Sequence, residues 1–289
     1  MVAYLALEIN GLKAATGRYV LFLDADDYLS ENTVEDIVNF FDQNSNSIDL
    51  VTYNIYYERK GKSVKGKRGN AYKNNCLIDL NKEPDFSQTT MNVCVKNGLN
   101  IYFDENIELG EDQLFNTTIL SKKKKIGWCN TAKYFYRRDA SSTGLINHPY
   151  FAAESINYFF KRLIELGESE QFDSYCKSLI LYNFSWRISG DYLFEYHLTE
   201  GKAVLSESLT EILNKIDSDL IIKNRWLIRD HKHFLLSLKS RNKPFVIKEE
   251  DGLYLCDSLH GEFANEKRNY NSISKRENTQ QQIIFNGLS

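Results

Sequence analysis

Residues 19–23, Tyr-Val-Leu-Phe-Leu, form a short unbroken apolar run that ends abruptly on Asp24-Ala25-Asp26-Asp27. A run this short and this apolar suits a strand buried on both faces of a parallel or mixed sheet. Polar groups at the carboxyl end of such a strand stand where open α/β sheets bind their ligands. The two features together call for an α/β domain with an acidic site at a strand end. Three carboxylates this close raise one another's pKa unless a cation or strong donors compensate. A divalent ion held by one or two of them, together with a substrate's phosphates, is the usual compensation. The plainer alternative is a solvated turn leading into the next helix. That is the commoner fate of an isolated Asp-x-Asp, and the strand in front of this one shifts the balance.

The pattern on either side is mixed. Residues 3–15 read as a helix, stopped at Thr16-Gly17 with the glycine in a left-handed cap. Asn32 with Glu35 forms a capping pattern ahead of an apolar stripe at Val34, Ile37, Val38 and Phe41. Residues 48–57 and 91–95 read as strands, 61–69 as a Lys/Gly-rich loop, and 111–120 as a helix. Residues 126–128 and 134–136 read as two short strands. From about Pro149 the texture becomes helical, with a stripe at Phe172, Tyr175, Cys176, Leu179, Tyr182, Asn183 and Trp186. Weaker helical stretches follow at 205–216 and 226–238. The chain turns mixed again at Lys243, and 265–282 is polar without periodicity. The division expected is 1–147, 148–242 and 243–289.

Composition narrows the function classes. The chain has 289 residues, 42% hydrophobic and 26% charged, which excludes global disorder and leaves room for a large core rich in its 18 tyrosines and 17 phenylalanines. A net charge of −3 argues against a partner held by phosphate neutralisation, so no nucleic acid is expected. No apolar stretch reaches the ~18 residues of a membrane span and no signal-like start is visible. A cytoplasmic location is expected, with at most peripheral association at the inner face of a membrane. Cys76, Cys94, Cys129, Cys176 and Cys256 are scattered and read as reduced, mostly buried thiols.

Three chemistries use an acidic cluster of this kind. An EF-hand would place Asp24, Asp26 and Glu35 at loop positions 1, 3 and 12, but Leu29 stands where glycine is needed. A haloacid-dehalogenase-type phosphatase wants Thr or Val where Tyr28 stands, and its downstream Lys and acidic motif are missing. The third is the DxD of nucleotide-sugar-dependent glycosyltransferases. Residues 10–29, from Asn10-Gly11-Leu12 through Ala15-Thr16-Gly17 to Asp24-Ala25-Asp26-Asp27, resemble the middle of a family 2 (GT-A fold) glycosyltransferase. The likeness continues at Phe103-Asp104-Glu105, at Gly110-Glu111-Asp112-Gln113-Leu114-Phe115, and at Tyr134-Phe135-Tyr136-Arg137-Arg138 with Ser141-Ser142. The segment around Tyr182-Asn183-Phe184-Ser185-Trp186 is similar to the stretch after the GT-A domain in bacterial capsule and teichoic-acid glycosyltransferases.

The resemblance implies a Rossmann-like mixed sheet followed by an α-helical region, and an inverting sugar transfer from a nucleotide-sugar, a UDP-sugar in particular. The implied acceptor is a cell-surface polysaccharide or teichoic-acid-type polymer. By the same resemblance Asp26 ligates Mn²⁺ or Mg²⁺, Asp24 approaches the donor's ribose or the metal shell, and Asp27 is structural, a turn or helix N-cap acceptor. Asp112 is the base that takes the acceptor's proton, with Glu111 beside it on the acceptor sugar. Arg137, Arg138 and Ser142 clamp the donor diphosphate. Each has an ordinary alternative: two acids at a helix N-terminus are common dipole partners, and the arginines suit a solvated strand edge. The run Lys122 to Lys125 reads as a solvated face, and His231 and His233 lack companions for a metal, as do His148 and His197. The chain departs from the family where Ile9 replaces an arginine and where Asp24 arrives early, so most of the N-terminal nucleotide-binding unit is expected to be missing. An open sheet edge, self-association as a homo-oligomer and impaired turnover would result. The rival from another class is a non-catalytic remnant that serves as a binding module.

Overall fold

The computed structural model describes residues 2–59, 61–107, 109–137, 153–190, 193–196, 203–240, 245–249, 252–256 and 273–274. In chain order its first elements are α1 (Val2–Ala14), β1 (Tyr19–Leu21), β2 (Tyr28–Leu29), α2 (Thr33–Asn44), β3 (Leu50–Arg59), β4 (Lys62–Lys65) and α3 (Arg68–Ala71). They continue with β5 (Cys76–Asp79), β6 (Val93–Lys96), α4 (Glu111–Lys123), β7 (Lys125–Arg137), α5 (Ala153–Glu170) and α6 (Asp173–Ser189). The strands form a curled mixed sheet in the order β1-β6-β3-β7-β2, with β4 added to β3 and β5 to β7. Only β3 and β7 run parallel; every other pair among the described residues is antiparallel.

The two long strands carry the core. On one face Val51, Tyr53, Cys129, Ala132 and Tyr134 pack against Ile37, Phe40 and Phe41 of α2. Close approach is possible because Gly127 has no side chain: a Cβ there would meet Phe40 and Ile48 at 2.7 Å. Cys94, Cys129 and Cys176 are buried and Cys76 half-buried, all as free thiols.

Several local expectations change. Residues 125–137 are one strand, not two. A bulge opposite Tyr53 and Asn54 absorbs the polar residues between 129 and 133, which had looked like a break. The Lys/Gly-rich stretch contains β4 and α3 instead of a loop. Asn32 makes no side-chain cap; Thr33 bonds instead to Ser30 at 2.7 Å and to the Lys133 carbonyl at 3.1 Å. Gly17 is not left-handed, because Asn97 donates to the carbonyls of Ala15 and Gly17 and satisfies the helix end directly. β1 was expected to be buried on both faces, but it is half-buried at the end of the sheet order, and Leu23 after it is 48% exposed. Within the lysine run, Lys123 is a half-buried tie to Asp49 at 2.8 Å and to the carbonyls of Ser45 and Ile48.

By compactness the chain divides into Met1–Ile180 and Leu181–Ser289. The second unit contains the end of α6, a hairpin of β8 (Phe194–Tyr196) and β9 (Ala203–Leu205), and three helices. These are α7 (Glu207–Asn214), α8 (Ser218–Lys223) and α9 (Arg229–Lys239), whose shared core includes Leu209, Ile212, Ile221 and Leu235. His231 and His233 are buried on α9. β10 (Phe245–Glu249), β11 (Gly252–Cys256) and β12 (Ile273–Ser274) form a small antiparallel sheet. His148, His197 and most of the polar stretch 265–282 lie outside the described residues. Among the described residues no helix is long and apolar enough to cross a membrane.

Candidate active site

Three phenylalanines bring the separate motifs together. Phe22, directly before the acidic turn, meets Phe103 edge-to-face at 5.9 Å and Phe115 at 5.8 Å. Phe103 and Phe115 stack on each other at 4.2 Å and are both buried. Phe115 lies one turn into α4, three residues after Asp112. A buried aromatic cluster thus holds the end of β1, the Phe103 segment and the start of α4 in one place.

The acidic turn divides its three carboxylates by task. Asp27 is buried; it accepts the Tyr134 hydroxyl at 2.7 Å and the Arg137 backbone N–H at 2.8 Å. Its structural role was anticipated, but its partners are on β7 and not in a helix cap. Asp24 donates its backbone N–H to the same Tyr134 hydroxyl at 3.3 Å, and its Oδ2 lies 3.5 Å from it. Crowding by the protein raises the Asp24 pKa first, and the charges of Asp27 and Asp26 raise it further. Asp26 is exposed. Arg137 is tied to the turn through Asp27, and its guanidinium sits 5.2 Å from the Tyr28 ring centre. Arg138 and Ser142 lie outside the described residues.

The second pair is the first turn of α4. Gly110, with φ +90°, precedes Glu111 and Asp112 and accepts the first helical bond, from Leu114 N–H, at 2.9 Å. Burial raises the Glu111 pKa, against bonds from the backbone N–H groups of Gly110 and Glu111 that favour its charge. Asp112 is pushed well above the carboxylate range by burial, then by Glu111 and Glu8, although it accepts the Gln113 N–H at 2.6 Å. Glu8, on α1, is itself raised to about 7 by burial, by Glu111 and by Asp24. Glu8 therefore lies within electrostatic reach of Asp24, Glu111 and Asp112. Glu8 was missed in the sequence because no motif includes it; the helical phase of α1, with Ile9 buried, was the only available signal.

No group of three or more His, Cys, Asp or Glu side chains among the described residues is disposed as a ready-made metal cage. The turn nevertheless fits a hard divalent cation. Asp24 and Asp26 offer carboxylate oxygens two residues apart, and the remaining ligands of such an ion ordinarily come from water and phosphate.

A glycosyl transferase family 2 model matches residues 9–106. The chain is 34% identical over 242 residues to the minor teichoic acid biosynthesis protein GgaB of Bacillus subtilis, covering 79% of this chain and 26% of GgaB. It is 24% identical over 255 residues to GgaA of the same organism, covering 82% of this chain and 56% of GgaA. The chain thus spans about a quarter of one relative and just over half of the other. A third relative is the Staphylococcus aureus poly(ribitol-phosphate) beta-N-acetylglucosaminyltransferase TarS, 28% identical over 134 residues, 43% of this chain and 22% of TarS. The crystal structure of S. aureus TarS 1–349 in complex with UDP-GlcNAc superposes with a TM-score of 0.60 at 17% identity, over 87% of this chain and 76% of that one. The curled mixed sheet followed by helices is therefore a GT-A-like fold, and residues 9–106 match a glycosyl transferase family 2 domain in a chain homologous to GgaB and TarS.

Proposed function

We propose that this chain carries the catalytic domain of an inverting glycosyltransferase that uses a UDP-sugar and a teichoic-acid-type acceptor. The observation that carries the reading is the placement of Asp112. It is a crowded carboxylate with raised proton affinity, held by the three-phenylalanine cluster beside the acidic turn. A carboxylate whose proton affinity is raised above the ordinary is better suited than a free one to take a hydroxyl proton as that oxygen attacks. In the step, the acceptor oxygen bonds the anomeric carbon and its proton passes to Asp112. The bond from that carbon to the diphosphate breaks, and its electron pair leaves with UDP.

Glu111 orients the acceptor sugar, and its charge keeps the Asp112 proton affinity high. Asp26, with Asp24, would hold Mn²⁺ or Mg²⁺. When bound, such an ion supplies Lewis-acid neutralisation of the diphosphate. Arg137 adds a charge-assisted contact to the same group, joined by Arg138 and Ser142. The donor class is supported by the TarS structures with UDP and with UDP-GlcNAc, and the acceptor class by the names of GgaB and TarS. A cytoplasmic site of action, where nucleotide-sugars are available, is part of the proposal.

The test is transfer from UDP-sugars to a poly(polyol-phosphate) acceptor by the purified protein and by Asp112→Asn. The expected loss is about 10²- to 10⁴-fold in kcat with UDP affinity unchanged. An equal fall in donor affinity would move Asp112 into the donor site.

A further inference from the structure

The motif that supplies the two acids of α4 has no side-chain cap of its own. Gly110 leads into the helix in a left-handed conformation, with no side chain of its own and its N–H on the Glu111 carboxylate. A second hold comes from α5. Phe159, fully buried, fills the space that a side chain on Gly110 would occupy: a Cβ there would fall 2.7 Å from the ring. One helical turn further on, Arg162 donates through Nη1 to Glu165 at 2.6 Å and sets Nε 3.5 Å from Asp104 Oδ2, a charge contact without a hydrogen bond. Asp104 in turn closes the loop after Phe103, accepting the backbone and side-chain N–H groups of Asn106 at 3.0 Å and, on its carbonyl, the Ile107 N–H at 3.1 Å. Two residues on one face of α5 therefore hold the connection from Phe103 to Glu111 at Asp104 and at Gly110.

We infer that α5 is the positioning element of the Glu111–Asp112 pair, acting through Phe159 against Gly110 and through Arg162 against Asp104. The inference rests on the proposed role of Asp112 in transfer. Catalytic geometry tolerates little displacement, and a shift of about 1 Å at the base can cost on the order of 10²-fold in rate. Neither Phe159 nor Arg162 touches substrate in this account. Their effect is confined to where Asp112 stands, so the donor site should not sense their loss.

The experiment compares Phe159→Ala, Phe159→Leu and Arg162→Gln in steady-state transfer, in UDP binding with Mn²⁺, and in hydrogen exchange. Arg162 is half-exposed, so its variant should fold even if Phe159→Ala does not. Expected are a fall in kcat of roughly 10- to 100-fold for Phe159→Ala, with a smaller fall for Arg162→Gln, and recovery of most of the activity in Phe159→Leu. Donor KM and UDP affinity should stay within about twofold, because the donor contacts lie elsewhere. The Leu114 amide, which reports the first bond of α4, should exchange at least about tenfold faster while amides of β3 do not change. Unchanged kcat, a parallel loss of donor affinity, or equal acceleration in β3 would each overturn the inference. If the wild type performs no transfer, the proposed function fails on its own, and the Leu114 amide alone then decides whether α5 positions this turn.

Discussion

The acidic turn of residues 24–27 and the first turn of α4 are both runs of neighbouring carboxylates, yet the fold does not treat them alike. In the turn, Asp27 is buried and bonded to Tyr134 and to the Arg137 N–H, while Asp26 is exposed. In α4, both carboxylates are crowded together with Glu8 and share a raised proton affinity. Environment and not residue type separates the two runs: in the turn only Asp24 is raised by crowding while hydrogen bonds occupy Asp27 and solvent reaches Asp26, whereas in α4 both carboxylates are raised.

The sharpest way to break this comparison is through the metal. Asp26→Ala should remove the Mn²⁺-dependent gain in UDP affinity, a loss of about tenfold or more, whereas Asp112→Asn should keep it. Titration calorimetry with and without Mn²⁺ reads both. An identical metal response in wild type and Asp26→Ala would take the cation away from this turn.

Within the turn the same contrast appears as stability. Asp27→Ala strands a buried hydroxyl and a backbone N–H, and should cost about 2–4 kcal/mol. Asp26→Ala removes an exposed carboxylate and should stay within ~0.5 kcal/mol. Urea unfolding of the two variants in chelated buffer makes the measurement. Equal costs would mean that the two aspartates are not differentiated as described.

How much of the molecule was legible in the sequence depends on how local each signal is. The apolar run ending at Asp24 announced a strand and an acidic turn because both features lie within nine residues. The α4 acids were visible for the same reason. The exposure of β1 was not, since whether a strand has neighbours on both sides depends on chain far away in sequence. The polar residues 130 and 131 looked like the end of a strand, because a bulge and a break have the same composition. The hold of Phe159 on Gly110 spans 49 positions and leaves no pattern at either end. Glu8 belongs in the same class: only folding places it near Glu111 and Asp24.

The smallest predicted effect tests whether Glu8 belongs to the crowded set. Its pKa is raised from an ordinary 4.5 to about 7 in the folded protein, so the native state binds that proton more tightly than the unfolded chain. The stabilisation this provides is complete below about pH 4.5 and is lost as pH rises through 7. Stability should therefore fall across that window in wild type. Glu8→Gln cannot ionise, and should lose less over the same interval. Full linkage would amount to about 3 kcal/mol, but Glu8 is partly solvated, which reduces the expected gain of the variant at pH 8 to ~1–2 kcal/mol. Glu111 and Asp112 are raised as well, so the variant should retain part of the slope. Urea midpoints at pH 5 and pH 8, in metal-free buffer, give the difference directly. Parallel curves for wild type and Glu8→Gln would place Glu8 in open solvent, and the charge that raises Asp112 would then come from Glu111 alone.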